Sequence, residues 1–508
     1  MKITKRIVIL VLSLVMALCS TACNRWTTGD SGSDIDHTQK DTSDRSGWVL
    51  RQRKSSSDFS DKVLNIKFFN GGYGSSWIEK MEQKFEADYP GIDVKLTASE
   101  NSADFQSLLK GELESDPEDI YICHDIAWET LGGANHLLAD LTDDLYEATI
   151  YTDSKNNNEA IRFKDLLTPS SLRSSAFDGK YYKVAQVQGA GGILYNKTLF
   201  DKYGWKIPDT YEELCALCEQ ICNDTKEVAP FLVAGTEGYL WDSLIYDWFI
   251  QIAGEEEYSR MLEGNDKNCW NPDVYPYHKM AYQYWYDLFV KNKDKYMLKG
   301  FEGISNIMAN AVFLAGKAAM MPATAWAVSE LGSDLLKEAN MDVGLIPTPY
   351  VKEAKKDKDG NFIRVCYDVA GRDSIVVAEK GNKALAVEFL KWMSETENTL
   401  IFPEEVPGML LGFKYEIKDL LNDKYCSLTW DRDMFRLLDE TTFRSTGYST
   451  NPMFVLKLIS VYPIENYYLK CFTTFGTASQ VTPDSVFGTA WTEVNDKWDT
   501  WRYEAGLA

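Results

Sequence analysis

The stretch 68–79, FFNGGYGSSWIE, sets three glycines and a small hydroxyl between a strand-like run and a helix-like one. Such a loop can cradle a phosphate, because glycine lets the backbone approach and a helix N-terminus favours an anion. A dinucleotide fingerprint needs a third glycine where Trp77 stands, although Glu100 after the next strand could serve as the ribose-binding acid. The same loop could instead rim a cleft for an uncharged guest, with Tyr73 offering a flat face and Ser75 a hydroxyl. Hydrolysis of a polysaccharide needs two carboxylates about 5–10 Å apart across a cleft. The pairs Asp143–Asp144 and Glu404–Glu405 are adjacent in sequence and read as solvated. No G-x-S-x-G or H-E-x-x-H pattern occurs. Cys215, Cys218 and Cys222 share YEELCALCEQIC, with Leu214, Leu217, Cys218 and Ile221 on one helical face. No histidine lies nearby and the spacing matches no common zinc pattern, so they read as buried thiols and not as metal ligands.

Which guest the glycine loop meets depends on where the chain resides. Lys2, Lys5 and Arg6 precede an apolar run at 7–18. That run is too short for a bilayer span of about 20 residues, but it suits the apolar region of a secretory signal. Ser20-Thr21-Ala22-Cys23 follows, and then a polar stretch rich in Ser, Thr, Asp and Gly that holds His37. A stretch so poor in large apolar residues reads as a flexible tether. The formal net charge of −23 disfavours nucleic acid and anionic membrane surfaces as partners. An exported chain meets no nicotinamide pool, so no nucleotide and no other cofactor is expected at the loop. Export also permits disulfides, but spacing does not assign pairs among Cys123, Cys215, Cys218, Cys222, Cys269, Cys366, Cys426 and Cys471.

The elements that must position the loop alternate between strand and helix. VLNIKFF is a strand, and Ile78, Met81 and Phe85 mark one stripe of the helix after it. GIDVKL, DFQSLLKGELES and EDIYICH continue a β-α-β order, the last strand apolar at its centre as a buried parallel strand is. PDTYEEL carries a capping box, Thr210 with Glu213 three residues on. FLVAG, KAAMM, DVGLIPTP and DSIVVAEK read as strands, and LWDSLIYDWFIQIAG and KALAVEFLKWM as helices. Beyond about Phe402 the chain reads as helical and aromatic without strands. No internal repeat is visible.

Several of these stretches together resemble the extracellular solute-binding proteins of bacterial ABC importers, carbohydrate type, of which the maltose-binding proteins are the model. WIEKMEQKFEADYPGIDVKL, FDGKYYKVAQVQGAGGILYNKTLFDKYGWKIPDTYEEL, FLAGKAAMMPATAW and KGNKALAVEFLKWMSETEN occur in the family's order between about Val63 and Glu397. Ala22-Cys23 is similar to a lipobox, with Ser20 departing from the usual leucine.

The resemblance implies an α/β fold of two lobes joined by hinge crossings, the type II periplasmic-binding-protein fold, with ligand between the lobes. It implies a monomer that captures a carbohydrate and passes it to the permease subunits of an importer, held to the outer face of the cytoplasmic membrane by a lipid on Cys23, with no catalysis and no metal. His124-Asp125 matches the family's histidine-aspartate pair, so Asp125 is expected to bind hydroxyls. Trp326 matches a stacking tryptophan, and Glu237 and Tyr239, with Trp241 beside them, match a contact motif. A glutamate of the first crossing is lost at Gly189, leaving Gln186 or Gln188 as substitutes.

These readings divide the chain into a signal peptide at 1–22, a lipid-anchored tether at 23–61, an N-terminal lobe from 62–187 and 372–445, and a C-terminal lobe from 188–371 and 446–508. An exported polysaccharide hydrolase, or a binder that captures a peptide or feeds a sensor kinase, stands as the alternative.

Overall fold

A computed structural model describes residues 39–507 apart from 41, 125, 178, 369–372, 446–448, 450, 452, 459–460 and 462–480. Cys23 and the signal region lie outside these residues.

Two sheets organise the chain. The first has five strands in the order Asp93–Ser99, Val63–Phe69, Ile120–His124, Asp373–Val377, Lys183–Ala185. The first three in sequence run parallel, Val63–Phe69 at their centre, and Asp373–Val377 runs antiparallel to Ile120–His124. The crossover helices Ser76–Asp88 and Ser102–Glu114 form as the sequence predicts, with Trp77, Ile78, Met81 and Phe85 buried on the first. All but the last residue of Ile120–His124 are buried, which explains its unbroken apolar centre. The second sheet has four strands, Ala229–Phe231, Ala318–Ala323, Gly192–Asn196 and Val343–Ile346. Helix Tyr211–Asp224 stands beside it and starts on the predicted box: Glu213 N–H donates to Thr210 Oγ1 at 3.3 Å, and Thr210 N–H to Glu213 Oε2 at 3.2 Å.

The chain passes from the first sheet to the second through 186–191 and returns between Ile346 and Asp373. The stretch after Phe402 is not free of strands. Leu410–Leu411 pairs with Val187–Gln188 on the first crossing, and Phe443–Ser445 pairs with Val365–Tyr367 on the second. Strands of two or three residues leave no periodic signature to read. Helix Thr429–Glu440 packs against Val343–Ile346 of the second sheet, although its sequence number falls in the stretch 372–445 assigned to the first lobe.

The stretch read as a tether is ordered over its second half. Trp48–Leu50 is an antiparallel partner of Thr149–Asp153. Lys40 Nζ lies 2.5 Å from Glu159, and Arg51 Nη1 lies 2.7 Å from Glu388. Composition missed this because the stretch docks through scattered single residues, Lys40, Trp48, Arg51, Arg53 and Phe59, and carries no apolar stripe.

Candidate functional site

The glycine loop leaves Val63–Phe69, the middle of the three parallel strands of the first sheet, at its carboxyl end, where open α/β sheets hold ligands. Gly72 and Gly74 adopt left-handed backbone, φ +74 and +68, which turns the chain out and back into the helix at Ser76. Tyr73 between them is half-buried, and its hydroxyl donates to Asp373 Oδ2. Its ring meets Phe402 edge-on at 5.9 Å. Burial raises the Tyr73 phenol well above its ordinary pKa, reinforced first by Asp373 and then by the more distant Asp368 and Glu330.

Asp373 opens an antiparallel strand, so its amino end sits at the same edge as the carboxyl ends of the parallel strands; its Cα is paired with that of His124. The His124 ring lies 5.0 Å from that of Phe69. Asp125, expected to bind hydroxyls, lies outside the described residues, directly after His124.

The second sheet meets this loop through Trp326. The residue follows strand Ala318–Ala323 and leads helix Ala327–Leu331, and it is half-buried. A Cβ added to Gly72 would stand 3.9 Å from Trp326 Cβ and Cγ. The loop of one sheet and the tryptophan of the other therefore face each other within van der Waals reach. One turn beyond, Glu330 Oε2 accepts from Asn306 Nδ2 at 2.8 Å. Glu330 is solvent-accessible, yet burial raises its carboxyl pKa, with Asn306 lowering it and Glu237 raising it. Glu237 is half-exposed and sits within electrostatic reach of it.

The first crossing packs against Ala325, just after the second-sheet strand Ala318–Ala323, and is tied to the second crossing. Gly189 N–H donates to Asp368 Oδ1 at 3.0 Å, and a Cβ added to Gly189 would fall 2.3 Å from Ala325 Cβ. Asp368 N–H in turn donates to Ser445 O at 2.7 Å.

The remaining candidates divide. Ser75 is half-buried at the head of its helix, and its side chain makes no capping bond. Tyr239 lies in the short turn Gly238–Trp241. Trp241 is 1% exposed, with its ring 4.5 Å from Phe289 and 5.6 Å from Trp285. It is core, because the helix it leads is buried on nearly every side. Gln186 is buried, its N–H donating to Asp373 O and its C=O accepting from Gly412, both at 3.0 Å. Gln188 is a strut between crossings: Nε2 donates to Leu411 O at 2.9 Å and to Phe413 O, and Oε1 accepts from Arg444 Nη1 at 2.5 Å.

Sequence reading missed Asp373, Asp368, Glu330 and Phe402. Asp373 could have been found, since the first residue of DSIVVAEK falls at the ligand edge once that strand is taken as antiparallel. The cysteine trio behaves as its helical pattern says: Cys218 is fully buried and Cys215 and Cys222 are partly so. No cluster of ligating side chains able to hold a metal occurs among the described residues, and none of their helices is long and apolar enough to cross a membrane.

The sequence profile of the bacterial extracellular solute-binding proteins matches residues 70–399. The diacetylchitobiose-binding protein of Streptomyces coelicolor is 24% identical over 340 residues, and the match spans 66% of each chain. A multiple sugar-binding protein of Streptococcus mutans is 25% identical over 357 residues, 68% of this chain and 74% of that one. Among solved structures, an acarbose-binding receptor of Streptomyces glaucescens superposes with a TM-score of 0.60 at 18% identity, covering 86% of this chain and 98% of that one. A raffinose-bound solute-binding protein gives 0.59 at 16% identity, covering 84% and 99%. The fold is that of the type II periplasmic solute-binding proteins.

Proposed function

The chain belongs to the bacterial extracellular solute-binding proteins, and from that premise we propose that it captures an oligosaccharide between its two sheets and delivers it, unaltered, to an ABC importer. The observation that carries this reading is the approach of the glycine loop of one sheet to Trp326 of the other, 3.9 Å from a Cβ at Gly72, with Asp373, Asp368 and Glu330 within electrostatic reach of Tyr73. A sugar presents apolar C–H faces and a ring of hydroxyls, so two flat aromatic faces bury the former while carboxylates accept hydrogen bonds from the latter. The curated relatives named above bind sugars, which supports the same class of guest. Ligand contacting both sheets at once binds the closed arrangement better than the open one, and that difference drives closure.

In this reading one lobe is built on the five-stranded sheet and the other on the four-stranded sheet, and helix Thr429–Glu440 belongs to the second. Cys23 carries a lipid that holds the monomer outside the cytoplasmic membrane. Cys23→Ala should then release the protein from membranes, and its retention there would count against lipidation.

Calorimetry against a panel of chito-, xylo-, malto- and raffinose-type oligosaccharides tests the function. Saturable heat with no new reducing ends is the expected outcome. Release of reducing ends would favour an exported hydrolase, and a full panel without heat would remove the carbohydrate reading.

A further inference from the structure

Two carboxylates in the first-sheet body are almost wholly removed from water. Glu388 on helix Lys383–Met393 and Glu395 just before helix Thr396–Thr399 are each 1% exposed. A buried carboxylate is costly unless paired and hydrogen-bonded. Their cationic partners come from far away in sequence. Arg51 places Nη1 2.7 Å from Glu388 and Nη2 3.5 Å from Glu395. Arg53 grips Glu395 through Nε, 3.0 Å from Oε2 and 3.2 Å from Oε1, and through Nη2. Its Nη1 also reaches Asp88 at 3.0 Å. A segment serving only as a solvated leash has no use for such contacts.

The same segment grips Thr396 by a second route. Leu50 pairs in register with Tyr151, whose ring lies 5.0 Å from Trp48 and whose hydroxyl accepts from Thr396 N–H at 2.8 Å. Glu395 and Thr396 start the short helices that end in Ile401–Glu405, and Phe402 there is fully buried. The Phe402 ring stands edge-on to Tyr73 at 5.9 Å and to Trp77 at 5.1 Å. The path from the N-terminal segment to the cleft loop is thus continuous: Arg53 to Glu395, the helix start to Phe402, Phe402 to Tyr73.

We infer that residues 45–53 form a strap, and that Arg51 and Arg53 are positioning residues for the ligand loop: they touch no ligand but fix the helices whose Phe402 holds the Tyr73 ring. The inference rests on Tyr73 being a cleft residue, as proposed above.

Hydrogen–deuterium exchange read by mass spectrometry on the full chain tests it without any ligand. Arg51→Gln/Arg53→Gln should speed exchange about tenfold at 71–77 and 398–406 as well as at 45–54, with 318–323 of the second sheet unchanged. Acceleration confined to 45–54 and 383–397 would reduce the strap to a local brace and overturn the inference. Should the double variant fail to fold, Arg53→Lys, which cannot make the two-pronged contact, should still accelerate 71–77 measurably; wild-type exchange there would overturn it equally. Phe402→Leu should loosen 71–77 while leaving 45–54 protected, and protection of 71–77 in that variant would break the path at its last link. Because no sugar is used, a failure here leaves the carbohydrate reading standing, and a sugar panel without heat leaves the strap standing.

Discussion

The Tyr73 hydroxyl donates to Asp373 Oδ2, tying the loop after strand Val63–Phe69 to the strand that returns from the second sheet. The donor is half-buried and the acceptor 6% exposed, so the bond fixes the Tyr73 ring at the edge where strand Asp373–Val377 begins. Tyr73→Phe keeps the ring and deletes the donor. We expect it to weaken oligosaccharide binding by about 1 kcal/mol through a looser loop, whereas Tyr73→Ala should cost about 1–3 kcal/mol by removing the stacking face. Calorimetric titration of the two variants checks the order, and equal, unchanged affinities would take Tyr73 out of the site.

Trp326→Ala carries the same expectation from the other side of the cleft, a loss of about 1–3 kcal/mol in affinity with folding intact. Trp326 is half-buried beside Gly72 and not part of the fully buried core, so its removal should leave the melting temperature nearly unchanged. A large fall in melting temperature with unaltered affinity would make it a packing residue.

The fold was largely legible because its signals are local and repeated: the Ile78–Met81–Phe85 stripe, the Thr210–Glu213 box, the apolar centre of Ile120–His124. The site was legible only where one residue type has one evident use. The glycine turn that holds Tyr73 comes, through Gly72, within van der Waals reach of Trp326, which follows a buried strand. Trp241 and Gln188 are not free to meet a ligand, because an aromatic or an amide serves a core or a crossing equally well and only three-dimensional neighbours decide. The docking of Arg51 and Arg53 was illegible for a related reason, since their buried partners Glu388 and Glu395 lie more than three hundred residues away.

Gln188→Leu should act on stability and not directly on recognition. It strips the Leu411 and Phe413 carbonyls of a donor and the Arg444 guanidinium of an acceptor, all at a buried position. The expected cost is about 2–3 kcal/mol, seen as a lowered melting temperature. An unchanged melting temperature with lost affinity would return Gln188 to the list of ligand contacts.

Asp247 should give this protein a measurable pH dependence. Its carboxylate is buried between Thr348, whose hydroxyl donates to Oδ2, and Tyr367, whose N–H donates to Oδ1. Burial raises its pKa from 3.8 to about 7, opposed by Thr348, the Tyr367 N–H and Arg364. A carboxyl with a raised folded pKa holds its proton in the fold at pH values where the unfolded chain has released it. Stability from this group is therefore greatest below the unfolded pKa and falls as pH rises towards 7. Asp247→Asn removes the titration, so the wild-type-minus-variant unfolding free energy should fall by about 2–3 kcal/mol from pH 5 to pH 8. A flat difference would mean that the carboxyl is ionised in the fold throughout.

Gly189 offers the sharpest test of how closely the first crossing must approach the second sheet. A methyl group there would lie 2.3 Å from Ala325 Cβ and 3.6 Å from Met409 Cε, while its N–H is already committed to Asp368. No real Cβ pair tolerates the first distance, so Gly189→Ala must push Ala325 away, and with it the neighbouring Trp326 that faces the glycine loop. Affinity for oligosaccharide should fall at least tenfold, and small-angle scattering with ligand present should show a larger radius of gyration than the liganded wild type. Gly189→Ala with Ala325→Gly removes the clash by deleting the opposing methyl, and the pair should recover most of the affinity. Non-additivity of this sign is what two residues in direct contact produce. If the single variant binds as wild type, the crossing has slack and the approach of Trp326 to Gly72 does not depend on it. If the double variant binds no better than the single, the harm lies in the backbone of the crossing and not in the contact with Ala325.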